Sequence, residues 1–511
     1  MIGELAAALR TDSDRPAVVG VGGVLAGRGS IRIRLTRGQL SDLAESYAAA
    51  LFHRGLGVGD TLGVAIRPGG RSLAVLLAAR KLGLRVAALD PSAGPDVLKA
   101  RIALAAPALV LADAAAQAVA SWAGPLARRA AQLELPALDS FGPVVTVGRR
   151  LPGCAPALAI PRSTAGVPDH SDQGGDAVII FTSGTTAKPR AVVHTWASVD
   201  AGMRAVTELV GPLPSQPVLG GTLFVLLPAL ANGAPVALPA RSGNGVARQL
   251  ARLRPQATYL TPPALRAALE AGARFTGRVY SGSAPVSAAL LGRLKAAGAQ
   301  AAFGVYALTE MFPVAAVEAA QKAAFDQPGD LVGDLMSGVR AKVDQAGQLL
   351  LAGPNACDRY LGEPSMDWVA TGDQAVVRGS QVVLAGRCKD MILRGAENIY
   401  PGLYEPALQV PGVSLAILVG VPATDLDERV AVVAQLEPGA DRDQARARLH
   451  ARFESMGSAR PDLLLFASVP LSGRSRKPDR AAAAELVTAG AAEPVDRPVD
   501  QPVRRPVRRP V

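Results

Sequence analysis

Residues 181–190 read FTSGTTAKPR, in which Thr182, Ser183, Thr185 and Thr186 flank Gly184, and Lys188 and Arg190 follow. Hydroxyls and free backbone N–H groups in a tight glycine-containing turn are donors for phosphate oxygens. The two cations add charge-assisted donors. The chemistry this suggests is retention of a phosphate chain. The stretch is not a Walker loop, because GxxxxGK[ST] occurs nowhere in the chain. GVGGVLAGRG near the start also misses the dinucleotide spacing: after Gly20 and Gly22, Leu25 stands where the third glycine is required.

A loop of this kind needs a strand ending directly before it, and the apolar DAVIIF (176–181) reads as that strand. It belongs to a longer alternation of β-rich runs with helical stretches: TLGVAI (61–66), RVAALD (85–90), ALVLAD (108–113), ATYL (257–260), RVYSG (278–282) and AAFGVY (301–306). This is the pattern of α/β layers around largely parallel sheets. Residues 331–385 change character, with antiparallel hairpins expected to turn at Gln345–Ala346–Gly347 and Arg378–Gly379–Ser380. Beyond Gly386, SLAILVGV and RVAVVAQL read as strands and DRDQARARLHARFES as a helix opened by Asp441, which together predict a small α+β domain ending near residue 487. The final stretch repeats proline every fourth residue and reads as an extended, solvated tail.

The chain has 511 residues, too many for one hydrophobic core, and its 49% hydrophobic and 19% charged residues describe a globular protein. Aromatics are 4%, so cores must be built from Ala, Val and Leu. The net charge of +11 is spread along the chain and partly confined to the tail, with no basic run interleaved by aromatics, which argues against nucleic acid as a partner. Cys154, Cys357 and Cys388 are far apart and odd in number, and His53, His170, His194 and His450 have no ligand spacing, so a reducing compartment is expected and a zinc knuckle is not. Glu4 and a very short apolar run do not make a secretory signal. The uncharged run 217–240 is long enough to span a bilayer, yet Pro228, Asn232, Gly233 and Pro235 break it, which predicts a buried helix followed by a strand and no membrane span.

The 182–190 loop is followed by SGSAP (281–285), YALTE (306–310), TGD (371–373), GRCKDMILRGAENIYP (386–401) and Lys477 within RKPDR. In this order, and over about residues 10–487, these resemble the adenylate-forming superfamily: acyl- and aryl-CoA synthetases, peptide-synthetase adenylation domains and firefly luciferase. The fold implied is α/β, with a large N-terminal domain of layered α/β subdomains plus a β-barrel-like part and a small mobile α+β C-terminal domain. The boundaries expected are 1–386, a hinge at 387–389, 390–487, and a disordered Pro/Arg-rich tail at 488–511.

By this resemblance Thr182, Ser183, Gly184, Thr185, Thr186, Lys188 and Arg190 hold the β- and γ-phosphates of ATP, with Thr182 counted among the catalytic residues. Glu310 is the Mg²⁺ ligand and a catalytic residue. Thr309 contacts the α-phosphate, Tyr306 stacks on adenine, and Gly282, Ser283 and Ala284 line the adenine and the acyl pocket. Asp373 and Arg387 bind ribose, and Lys389 is the hinge. Lys477 bridges the acyl carboxylate and the α-phosphate. A carboxylate attacking phosphorus builds charge on phosphate oxygens, so catalysis of this kind is mostly positioning and electrostatic stabilisation.

The pattern departs from the family at Ala187, Ala191 and Ala307, which replace glycines, at Arg190, which replaces a lysine, at Trp196, which replaces a histidine, and at Arg476, which stands where glycine usually precedes the lysine. None of these removes a required charge. RGAENIYP is typical of CoA-forming ligases, whereas TEMFPVAAVE (309–318) and KLGLRVAALDPS resemble β-lactone synthetases. The uncharged 217–240 run offers an apolar acyl wall with no Asp for an α-amino group. The expectation is a cytoplasmic enzyme that activates an apolar, fatty carboxylic acid with ATP and Mg²⁺ and passes the acyl group to CoA. The alternatives are lactone formation from a β-hydroxy acid, loading of an acyl carrier protein, and silent acyl-nucleotide binding.

Overall fold

The computed structural model describes residues 1–22, 31–89, 95–114, 117, 143–181, 190–394, 397–424, 427–472 and 476–495. Two large sheets organise the chain up to Arg387. The first has seven strands in the order Arg359–Tyr360, Ala191–Thr195, Asp176–Phe181, Arg85–Ala88, Thr61–Ala65, Leu109–Asp113, Val144–Val147. The last five pair in parallel, while Ala191–Thr195 runs antiparallel to Asp176–Phe181 and to Arg359–Tyr360. Phe181 sits opposite Ala191, so the two residues that bracket 182–190 are held side by side.

The second sheet has thirteen strands. Its middle is parallel, through Pro16–Val21, Val236–Ala237, Val218–Gly220, Ala257–Leu260, Arg278–Ser281 and Ala301–Tyr306. It turns antiparallel at Ala315–Glu318 and continues through Asp330–Leu335, Gln381–Arg387, Val369–Arg378, Gln348–Ala352 and Arg340–Val343. The hairpins expected over 331–385 are therefore present, but the expected barrel-like part is an extension of the main sheet. Among the described residues no closed barrel forms. The reason is local: Asp330–Leu335 pairs with Ala315–Glu318 on one edge and Gln381–Arg387 on the other, and so uses both edges to prolong the sheet. Gly333 makes the splice possible, because it has φ +97° and a Cβ there would collide with the Ala316 carbonyl.

Helices fill the space between the sheets. Leu62, Val86 and Leu111 from one sheet and Val18, Val218 and Tyr280 from the other meet Leu40, Leu51, Leu73, Leu82, Met203 and Leu226 in one core. Each fully buried leucine there is worth about 1.5–3 kcal/mol. Helix Pro95–Ala105 covers the outer face of the first sheet, and helices Gly243–Leu253, Pro262–Glu270 and Ala288–Ala296 cover that of the second. The run 217–240 resolves into strand Val218–Gly220, the buried helix Leu223–Ala231 with Pro228 inside it, and strand Val236–Ala237. Among the described residues no helix is long and apolar enough to cross a membrane.

After Arg387 a single 3-10 turn, Cys388–Asp390, leads to a separate four-stranded sheet of Val413–Thr424, Asp427–Leu436, Leu463–Phe466 and Glu493–Pro494. Alternation along one strand serves two cores. Val430, Val432 and Ala434 face helix Arg442–Phe453, while Ala431 and Val433 face the side of Ala483 and Val487. Asp441 opens the first of these helices by accepting from the N–H groups of Asp443 and Gln444. The ordered fold runs past the expected end near 487: Glu493–Pro494 pairs with Leu463–Leu464, and Val495 is buried. A strand pairing and a buried apolar residue thus hold down residues that were expected to belong to the tail.

Candidate functional site

The first half of the site grows from one hairpin. Val369–Arg378 and Gln381–Arg387 pair so that Asp373 lies directly opposite Arg387. Gly372, with φ +71°, turns the strand just before the acid, and the Asp373 N–H donates to Thr371 Oγ1 at 3.0 Å. The Asp373 side chain is 6% exposed. Its Oδ1 lies 3.2 Å from Arg387 Nε, and its Oδ2 accepts the Tyr306 hydroxyl at 2.5 Å. Burial pushes the Asp373 carboxyl upward against the pull of Arg387. The Tyr306 hydroxyl is held well above its ordinary value, first by burial and then by the neighbouring carboxylate.

Tyr306 ends the strand Ala301–Tyr306, and Ser281 ends the adjacent parallel strand, opposite Gly304. Gly282, Ser283, Ala284 and the YALTE residues thus leave neighbouring strands at their carboxyl ends, where open α/β sheets place ligands. Gly282 lies against the Val305 carbonyl, which a Cβ would approach to 2.7 Å. Ser283 holds a left-handed backbone at φ +68°, and its Oγ is 3.3 Å from the hydroxyl of the half-buried Tyr259.

The second half surrounds Glu310. Tyr360 donates its hydroxyl to Glu310 Oε1 at 2.9 Å, and the Cys357 N–H donates to the Glu310 carbonyl at 2.7 Å. Burial, with Glu310 and Asp358 nearby, pushes the Cys357 thiol up to about 12. Thr309 offers its carbonyl to His194 Nε2 at 2.8 Å. His194 is fully buried, and burial depresses its pKa, so the ring is neutral at pH 7. Arg190 sits with its guanidinium 3.8 Å from the Tyr360 ring centre and 3.7 Å from Glu363. Thr182, Ser183, Gly184, Thr185, Thr186 and Lys188 lie outside the described residues.

Lys477 arrives from the small C-terminal unit, on the two-residue strand Lys477–Pro478 paired with Leu471–Ser472. Burial lowers its pKa first and the Arg387 charge second, while Asp373 and Glu310 act in the opposite direction. Lys477 is thus within electrostatic reach of charges in both halves of the site. Arg476 before it has φ +52°, a left-handed conformation that glycine adopts without strain. Arg480, three residues on, faces elsewhere: Nε contacts Asp390 at 3.0 Å, both terminal nitrogens contact Glu405, and Nη1 donates to the Leu418 carbonyl at 2.7 Å. Lys389 lies in the 3-10 turn beside Asp390.

The structure thus gathers Tyr306, Thr309, Glu310, Asp373, Arg387 and Lys477, with Gly282, Ser283 and Ala284 on the neighbouring strand end. Sequence reading did not single out Tyr360 or His194. Their signal is faint: an aromatic on a short strand, and a lone histidine in an apolar one. A single hard carboxylate such as Glu310 suits Mg²⁺, which completes its shell with phosphate oxygens and water. Among the described residues no group of three or more His, Cys, Asp or Glu side chains could hold a metal alone.

Residues 5–361 match the family described as "AMP-binding enzyme". A sulfoacetate–CoA ligase of Cupriavidus necator is 26% identical over 80% of this chain and 83% of its own. A medium/long-chain-fatty-acid–CoA ligase of Mycobacterium tuberculosis is 25% identical over 90% and 87%. Among solved structures, the amide bond synthetase McbA of Marinactinospora thermotolerans superposes with a TM-score of 0.74 at 22% identity, over 94% of this chain and 99% of that one.

Proposed function

The chain belongs to the AMP-binding enzyme family, and from that premise we propose that it is an ATP-dependent acid–thiol ligase acting on an apolar carboxylic acid, a fatty acid in the first instance. In the first step a carboxylate oxygen bonds to the α-phosphorus of ATP as the bond to pyrophosphate breaks. In the second, the CoA thiol displaces AMP from the acyl-adenylate and loses its proton.

The observation that carries this reading is the Tyr306–Asp373–Arg387 cluster at the strand ends, with Lys477 from the small C-terminal unit within electrostatic reach of it. Lys477 supplies a mobile positive charge where the acyl carboxylate and the α-phosphate must approach each other. Asp373 and Arg387 take the ribose hydroxyls, and Tyr306 presents its ring to adenine. Glu310 holds Mg²⁺, which when bound offsets the phosphate charge. Residues 182–190 grip the outer phosphates. The Phe224 and Phe312 rings, 3.9 Å apart beside the Glu310 segment, support an apolar acid. The proposed setting is the cytoplasm, in keeping with three free thiols.

A second reading, ring closure of a β-hydroxy acid to a lactone, rests on TEMFPVAAVE and differs only in the nucleophile that displaces AMP. The test is incubation of purified protein with ATP, Mg²⁺ and a panel of fatty and β-hydroxy fatty acids, with and without CoA, followed by mass spectrometry. A CoA-dependent thioester upholds the ligase reading. A dehydrated product formed without CoA selects the lactone. AMP release with neither product points to an acyl carrier protein as acceptor, and absence of AMP overturns the enzymatic reading.

A further inference from the structure

We propose that Tyr360 is a positioning residue for the Glu310 carboxylate, aiming it at a divalent cation that arrives with the nucleotide. The inference rests on the ligase reading above and deepens it at the metal.

Residues 356–361 lie between two parts of the site. On one side Arg359 and Tyr360 pair with Val193 and Val192, and the Leu361 N–H donates to the Ala191 carbonyl at 2.8 Å, immediately after the phosphate-clamp stretch. On the other side Ala356 bridges to Met311, and the Cys357 N–H holds the Glu310 carbonyl at 2.7 Å. The metal-side segment is thus attached to the phosphate-side strand by a short piece of chain that touches both.

Successive strand residues point opposite ways. Arg359 points to Asp176, at 2.8 and 3.0 Å, which anchors the strand in the sheet. Tyr360 points to Glu310, and its hydroxyl occupies Oε1 at 2.9 Å. The ring itself is held by the Arg190 guanidinium stacked at 3.8 Å. A glutamate on a free side chain samples many carboxylate orientations; fixing one oxygen fixes the direction of the other. Partners that orient a metal ligand in this way typically change metal affinity about 10–100-fold when removed.

The test compares the full-length wild type with Tyr360→Phe, Tyr360→His and Glu310→Gln. Mn²⁺ is the probe, titrated in the presence of a non-hydrolysable ATP analogue and followed by the electron paramagnetic resonance signal of free Mn²⁺. Tyr360→Phe is expected to raise the Mn²⁺ dissociation constant about tenfold. Thermal midpoint and analogue affinity in EDTA should stay at wild-type values, and Tyr360→His, which keeps a donor, should recover part of the loss. An unchanged Mn²⁺ constant in Tyr360→Phe, or an equal loss of analogue affinity in EDTA, overturns the proposal, the latter because it marks a packing role. If Glu310→Gln leaves Mn²⁺ binding intact, the assignment of Glu310 fails, and the proposal with it.

Discussion

Two of the cations at the site, Arg387 and Lys477, are built by opposite means. Arg387 is fixed within a long hairpin whose register sets it across from a buried Asp373, so its place is decided when the sheet forms. Lys477 comes from a different unit on a two-residue strand, preceded by an arginine in left-handed backbone. One is preorganised and the other delivered. Binding groups gain from the first arrangement, because no ordering cost is left to meet when the nucleotide arrives. A group needed in only one of two steps, as Lys477 is in the proposed reaction, would gain from the second, because it could leave.

Four perturbations separate the two, from the largest expected effect to the smallest. Lys477→Ala should lower the rate of acyl-adenylate formation roughly 10²–10³-fold while nucleotide affinity stays near wild type. Pyrophosphate release and equilibrium binding of an ATP analogue read the two quantities, and unchanged adenylation would assign the role to another lysine. Asp373→Asn should do the reverse and weaken analogue binding about tenfold, because it removes a charged acceptor from the Tyr306 hydroxyl and Arg387; isothermal titration decides.

The third concerns pH. Burial and Arg387 hold the Lys477 pKa below the ordinary lysine value. The protonated, active form is therefore lost as pH rises through a lowered pKa, and the alkaline limb of the kcat profile falls earlier than for a solvated lysine. Lys477→Arg, charged throughout, should move that limb upward even if its rate is reduced. The fourth is Arg476→Gly, which relieves left-handed strain of about 1–2 kcal/mol against a chain-entropy cost of about 0.5–1 kcal/mol. A small rise in the unfolding midpoint at unchanged nucleotide affinity is expected, and a fall would show that the arginine side chain is needed there.

The same contrast explains what the sequence made legible. DAVIIF, ATYL and AAFGVY are observed as strands over the residues expected, because strands with every residue buried or half-buried are near-continuous apolar runs. The helix opened by Asp441 was equally readable, since its cap precedes a run of good helix formers. The continuity of the thirteen-stranded sheet was not: Val236–Ala237 is too short to carry a pattern, and the splice at Gly333 depends on a bulge. Asp373 and Arg387 were readable as separate residues through resemblance. Their pairing was not, because a register shift between Gln374 and Ala375 intervenes. Tyr360 and His194 escaped because each acts on a segment far away in the chain, Glu310 and Thr309, which no local spacing encodes.

Arg480 has a mechanical consequence. It clamps the start of the helix after Lys477 to Asp390 in the turn at the chain crossing and to Glu405 and Leu418 in the body of the small unit. If the proposed hinge at 387–389 turns, these contacts would carry Lys477 with it as through a stiff lever. On that proposal, withdrawal of the charge and movement of the unit would be a single event.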